Sequence, residues 1–169
     1  MSMDTLADLL EDEIKDLYSA EKQLLKALPK MAKKADASAL QKAFASHLKE
    51  TEGHVARLEK IGELLDIKLT GKVCKAMQGL VEEGSEVIEE KGEPPVLDAA
   101  LICAGKRVEH YEMAAYGATR GIAESLGHDK VVSLLQQTLD EEEAADKKLT
   151  AIAKASVLPA AAAIGDEEE

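Results

Sequence analysis

Leu40–Leu65 reads L-Q-K-A-F-A-S-H-L-K-E-T-E-G-H-V-A-R-L-E-K-I-G-E-L-L. Leu40, Phe44, His47, Thr51, His54, Leu58, Ile61 and Leu65 recur at alternating steps of four and three. That period lays all eight on one face of an α-helix, the stripe that a helix presents to its partners in a bundle.

Similar patterns lie on either side. Leu6, Leu10, Leu17, Leu24, Leu28 and Met31 mark a first helix from about Asp4 to Ala35, with Asp4 or Thr5 as its cap. The turn A-D-A-S joins it to the second. A long connection, 66–95, holds its own shorter helical pattern (Val73, Met77, Leu80, Val81, Val87, Ile88) and ends at K-G-E-P-P, where two prolines break the helix. A third main helix runs from about Val96 to Ser125. A fourth follows L-G-H-D and runs to about Lys154, with Leu135, Leu139, Glu142, Asp146, Leu149 and Ala153 on its stripe. Short turns make antiparallel neighbours, and the long crossover lets the second and third main helices run parallel. The sequence therefore predicts an all-α, ferritin-like four-helix bundle with an extra helix in the crossover. The bundle is expected over 1–156, with an acidic C-terminal tail over 157–169.

Composition agrees. Of 169 residues, 46% are hydrophobic but only 2% aromatic, so Leu, Ala, Val, Ile and Met must build the core. A net charge of -12 argues against nucleic acid or an anionic membrane as partner and suits cations. No apolar run is long enough to span a bilayer, and the N-terminus lacks signal-peptide character. Cys74 and Cys103 match no zinc spacing and fit reduced thiols, so a cytoplasmic location is expected.

Each main helix carries acid at mid-stripe. The first offers Glu21, with Tyr18 one turn before it. The second offers His47, Glu50 and His54, the third Glu109 and Glu112 in the run E-H-Y-E, and the fourth Glu142 and Asp146. Residues at i, i+3 and i+4 share a face, so each set can point at one centre. Several carboxylates in a core must be protonated, solvated, paired or bound to metal. Two divalent ions would set four positive charges against about six carboxylates, and carboxylate with imidazole suits iron or manganese. Each residue also has a plainer reading. Glu13, Glu141 and Glu143 read as solvated charges, and Tyr18, Tyr111 and Tyr116 as space-filling rings with bonded hydroxyls. His47, Tyr18 and Tyr111 are the candidates for orienting a ligand from behind.

The stretches Y-S-A-E-K-Q-L-L-K-A-L-P-K-M-A, H-L-K-E-T-E-G-H-V-A-R-L-E, V-E-H-Y-E-M-A-A-Y-G and T-L-D-E-E-E-A-A-D-K-K-L-T resemble a family of small bacterial ferritin-like stress-response proteins of the YciF type, over about Asp4 to Ala155. The resemblance implies a rubrerythrin-like bundle, a homodimer, and a site for two iron ions, or manganese, on Glu21, Glu50, Glu109, Glu112, Glu142 and Asp146. In that reading Glu50 and Glu142 bridge, Glu21 and Glu112 are terminal, and His54 is a ligand or orients one. The sequence departs from the wider ferritin-like pattern, which has histidine three residues after a glutamate on the second and fourth helices. Gly53 stands there after Glu50, and the fourth helix has no histidine. Glu142 is preferred to Glu141 and Glu143 because it alone lies on the stripe. Two functions follow: a di-metal protein that oxidises Fe(II) or reacts with oxygen or peroxide, or a non-catalytic helical dimer serving as an interaction protein.

Overall fold

The computed structural model describes residues 3–166. Helix α1 spans Leu6–Lys34, α2 Ser38–Leu65, α3 Lys75–Glu89, α4 Pro94–Ser125 and α5 Asp129–Ile152. One π-helical turn, Ala153–Val157, leads into α6, Leu158–Asp166. Thr5 starts α1 with a capping box: its hydroxyl accepts from the Asp8 amide at 3.1 Å, and the Asp8 carboxylate accepts from the Thr5 amide at 2.8 Å. The two prolines of K-G-E-P-P fall in the first turn of α4, where a missing N–H is no loss.

Helices α1, α2, α5 and α4 form a square in which each contacts the next, and α3 lies across the α1–α4 seam. Asp98, in the first turns of α4, accepts from the backbone amides of Asp36 and Ala37 at 2.8 and 2.7 Å. The buried carboxylate thereby caps α2, which has no side-chain cap of its own, and places the starts of α2 and α4 at one end of the bundle. These two helices run parallel, as the long crossover predicts.

The start of α3 is pinned by polar contacts. The Cys74 amide donates to Ser19 Oγ, Gln23 donates to the Cys74 carbonyl, and Lys72 ion-pairs with Asp12 and Asp16. Tyr111 donates to Asp16 at 2.7 Å and lies 2.9 Å from Cys74 Sγ.

The apolar core is divided. One cluster joins Leu24, Leu28, Leu40, Phe44, Leu101 and Leu149 at one end. The other joins Leu10, Ile14, Leu17, Leu58, Ile61 and Leu135 at the opposite end. Between them lies a polar layer. Gly105 sits where a Cβ would come within 3.1 Å of Leu149 and 3.4 Å of the Phe44 ring, so its lack of a side chain lets α4 approach that cluster closely.

The expected tail from 157 is, as far as Asp166, a helix: Val157 is buried in the core, and α6 touches α4. Residues 167–169, the acidic end, lie outside the described residues. Among the described residues no helix is long and apolar enough to cross a membrane.

Candidate metal centre

The polar layer is assembled from four helices. Glu21 comes from α1, His47 and His54 from α2, Glu109 and Glu112 from α4, and Glu142 from α5, all 5% exposed or less. His47 and His54 lie two turns apart, on the same face. Glu109 and Glu112 are one turn apart and both inward, which accounts for E-H-Y-E.

Two groups of ligand-type atoms emerge, each within 4.8 Å of one another: His47, Glu109, Glu112 and Glu142, and Glu21, His54 and Glu142. Glu142 belongs to both. Its Oε2 lies 3.5 Å from His47 Nε2 and its Oε1 2.9 Å from His54 Nδ1. His47 Nε2 is also 3.3 Å from Glu109, and His54 Nδ1 3.2 Å from Glu21. These approaches suit ion pairing but fall off the line of a hydrogen bond. Eight buried atoms of these six residues have no hydrogen-bond partner among the described residues, including both oxygens of Glu112 and of Glu142. Buried polar atoms are ordinarily satisfied, so eight orphans in one layer require an explanation.

Electrostatics sharpen it. Burial, then the Glu142 and Glu21 charges, push the Glu112 carboxyl far up, and burial with Glu142 does the same to Glu109. Burial also raises Glu21, against the opposing pull of His54. Burial disfavours the His54 imidazolium, but the Glu142 and Glu21 carboxylates outweigh it and raise His54 to about 10. Glu142 is the exception: burial acts upward, yet the neighbouring histidines hold it below the usual carboxylate range. Without a cation, protons do the neutralising. Four carboxylates match the charge of two divalent ions, and the oxygen-rich set with two imidazoles suits iron or manganese rather than thiolate-bound zinc. The residues present therefore fit such a pair.

Each imidazole is held from behind by a half-exposed carboxylate. His54 Nε2 meets Glu141 at 2.9 Å, and Arg57 ion-pairs with the same Glu141 while donating to Thr138. His47 Nδ1 meets Glu50 at 3.2 Å, and Ser46 donates to the other Glu50 oxygen. The two rings thus face the layer through opposite nitrogens, and each outer carboxylate fixes which nitrogen that is. Glu141, read from sequence as a solvated charge, has this positioning contact.

The structure rearranges several expected residues. Glu50 stands outside the layer, because Thr51 takes the inward position between His47 and His54. Thr51 is fully buried and donates to the His47 carbonyl. The glutamate-then-histidine spacing is thus Thr51 to His54, with threonine where the wider pattern has acid. Glu112 follows Glu21 by 91 residues, and Glu142 follows Thr51 by the same 91, so the two halves echo each other in spacing, with Glu21 and Glu112 as the pair of layer residues that match. Asp146 also lies apart: Ala145 takes the inward position, and Asp146 turns to Lys106 at 2.5 Å and His110 at 3.1 Å. Tyr18 donates to Glu59 on the outer seam, and Tyr111 belongs to the α3 anchor, so neither touches the six residues. His47, expected behind the other site residues, is one of the six in the layer. Tyr116, expected to fill space with its hydroxyl bonded, donates to Glu21 at 2.5 Å from full burial, which brings it to the layer. Its position four residues after Glu112 was the available signal.

Residues 5–162 match the family described as Domain of unknown function (DUF892). The chain belongs to this family. Protein YciF of Escherichia coli K12 is 46% identical over 154 residues, covering 90% of this chain and 93% of that one. The crystal structure of the E. coli stress protein YciF superposes with a TM-score of 0.87 at 45% identity, over 89% of this chain and 96% of the other. YcfI of Rhodopseudomonas palustris gives 0.85 at 42% identity, over 89% and 97%. The DUF892 chain described here shares its helical bundle with these relatives.

Proposed function

We propose that this bundle holds two divalent metal ions, iron or manganese, in its polar layer and is an oxidoreductase acting on Fe(II), oxygen or peroxide. The observation that carries this is the set of eight unpartnered buried atoms on six residues from four helices. His47, Glu109 and Glu112 would hold one ion, Glu21 and His54 the other, with Glu142 shared. Iron bound there would supply one-electron redox chemistry. The chain's own part is positional. Glu50 and Glu141 fix the imidazoles, Tyr116 keeps a proton on its oxygen beside Glu21, and the two apolar clusters close the layer toward both ends of the bundle.

The E. coli relative is called a stress protein, and a stress-linked role is proposed here on that likeness. A cytoplasmic homodimer that binds no nucleic acid completes the reading, supported by the acidic charge and the family resemblance. The test is anaerobic equilibrium binding of Fe(II) and Mn(II), followed by admission of oxygen. Two ions per chain, lost in Glu142→Ala, and an oxidation absent from that variant are expected. Absence of binding by the unmodified chain, with stability indifferent to metal, would overturn it in favour of a non-catalytic helical dimer.

A further inference from the structure

Beside the polar layer a pocket of about 100 Å³ opens between α2 and α5. Its floor includes His47 and Glu109, both buried, and its rim includes Ala144 and Lys148, both exposed. Glu50 and Glu141, with side chains 34% and 39% exposed, stand between rim and floor. Small residues make the space: Ala43, Ala144 and Ala145 line it where larger side chains would close the seam. Such a volume has room for several waters. At its inner end, His47 Nε2 and Glu109 Oε2 have no hydrogen-bond partner among the described residues. The pocket on the α1–α3–α4 seam and the one beside Leu64 and His128 contain none of the six layer residues.

We infer that this α2–α5 pocket is the route by which a hydrated divalent cation reaches the layer, with Glu50 and Glu141 as its acidic way-stations and Lys148 as an electrostatic brake at the mouth. The inference rests on the metal-binding reading above. Glu50 is suited to the part because it faces solvent on one side and His47 Nδ1 on the other, 3.2 Å away. A cation passing it exchanges water for carboxylate before it meets Glu109. Lys148 raises the local potential for any approaching cation, so its removal or reversal speeds association.

The route is tested by stopped-flow binding of Co(II) alone to the full chain, followed by its visible absorption, with equilibrium titration of the same samples. Ala144→Leu, which plugs the mouth from an exposed position, should slow association at least fivefold with unchanged stoichiometry. Glu50→Gln keeps a hydrogen-bond acceptor for His47 and should slow association about threefold at low salt. Lys148→Glu should accelerate it by a similar factor, and the rates should converge at high ionic strength. Glu86→Gln, on the exposed face of α3, serves as the control and should match the unmodified rate. Unchanged rates in Ala144→Leu and Lys148→Glu, with normal equilibrium binding, would overturn the route and leave the metal reading intact. No Co(II) bound by the unmodified chain would overturn both.

Discussion

Glu112 shows most plainly what the polar layer does to its members. It is fully buried, neither oxygen has a hydrogen-bond partner among the described residues, and the Glu142 and Glu21 charges oppose its ionisation. The metal-free chain keeps a proton there that an unfolded chain would release. Glu112→Gln should therefore stabilise the metal-free protein, by about 1 kcal/mol or more, and weaken metal binding; a chelated sample in a calorimeter reads the first effect as a higher melting point. The pH dependence follows with a definite sign. Glu109 and Glu112 are raised above the ordinary carboxylate value of 4.5, and His54 is raised from 6.5 to about 10. The folded state thus binds more protons than the unfolded one across this range. Metal-free stability should fall as pH rises above 4.5, and the part due to His54 should be lost between 6.5 and about 10. Urea unfolding at a series of pH values checks this, and a flat profile would contradict it. Tyr116 was legible in part: its stripe position places it by Glu21, but only the fold shows its hydroxyl spent there.

Among the helices, the decisive links are few. Asp98 ties the start of α4 to the α1–α2 turn through two charge-assisted bonds to backbone amides. Asp98→Ala removes both bonds to the start of α2 from a buried carboxylate, so it should cost about 1–3 kcal/mol in denaturant unfolding. A conservative Asp98→Asn should recover part of that, because its carbonyl oxygen still accepts. The sequence stripes predict four main helices and the crossover helix at nearly the residues observed, since a period of three and four is a property of local geometry. The short helix from Leu158 was less legible. Alanine-rich sequence favours helix as readily as it reads as tail, and the burial of Val157 against the core settles the difference. Tyr111 likewise looks from its helix position like a neighbour of Glu112, yet the crossover draws its hydroxyl to Asp16.

Across the bundle, the two apolar clusters carry the fold and the layer between them strains it. A cation that binds only the folded state returns stability: at a concentration one hundred times its dissociation constant the gain is about 2.7 kcal/mol. For a chain of this length that corresponds to a rise of roughly 5–10 °C in Tm. Adding Mn(II) to chelated protein should produce this shift, and Glu142→Ala should abolish it. The two positions should also load unequally. The group with His47 has three carboxylates, Glu109, Glu112 and Glu142, and the group with His54 has two. The first should therefore fill before the second, visible as two steps in a calorimetric titration.

The amino-acid order sufficed for the helices, their connectivity and the presence of acid and imidazole at one depth, because hydrophobic period and turn chemistry act along a single helix. The period also set Thr51 rather than Glu50 on the inward stripe of α2, although Glu50 was expected at the site on its chemistry. On α5 it set Asp146 there, where Ala145 differs by one residue, about 100° around the axis, and the rotation of each helix is set by its neighbours. Packing chose Ala145 for the interior. It also turned His47 from a supporting group into part of the layer, sharing Glu142 with His54.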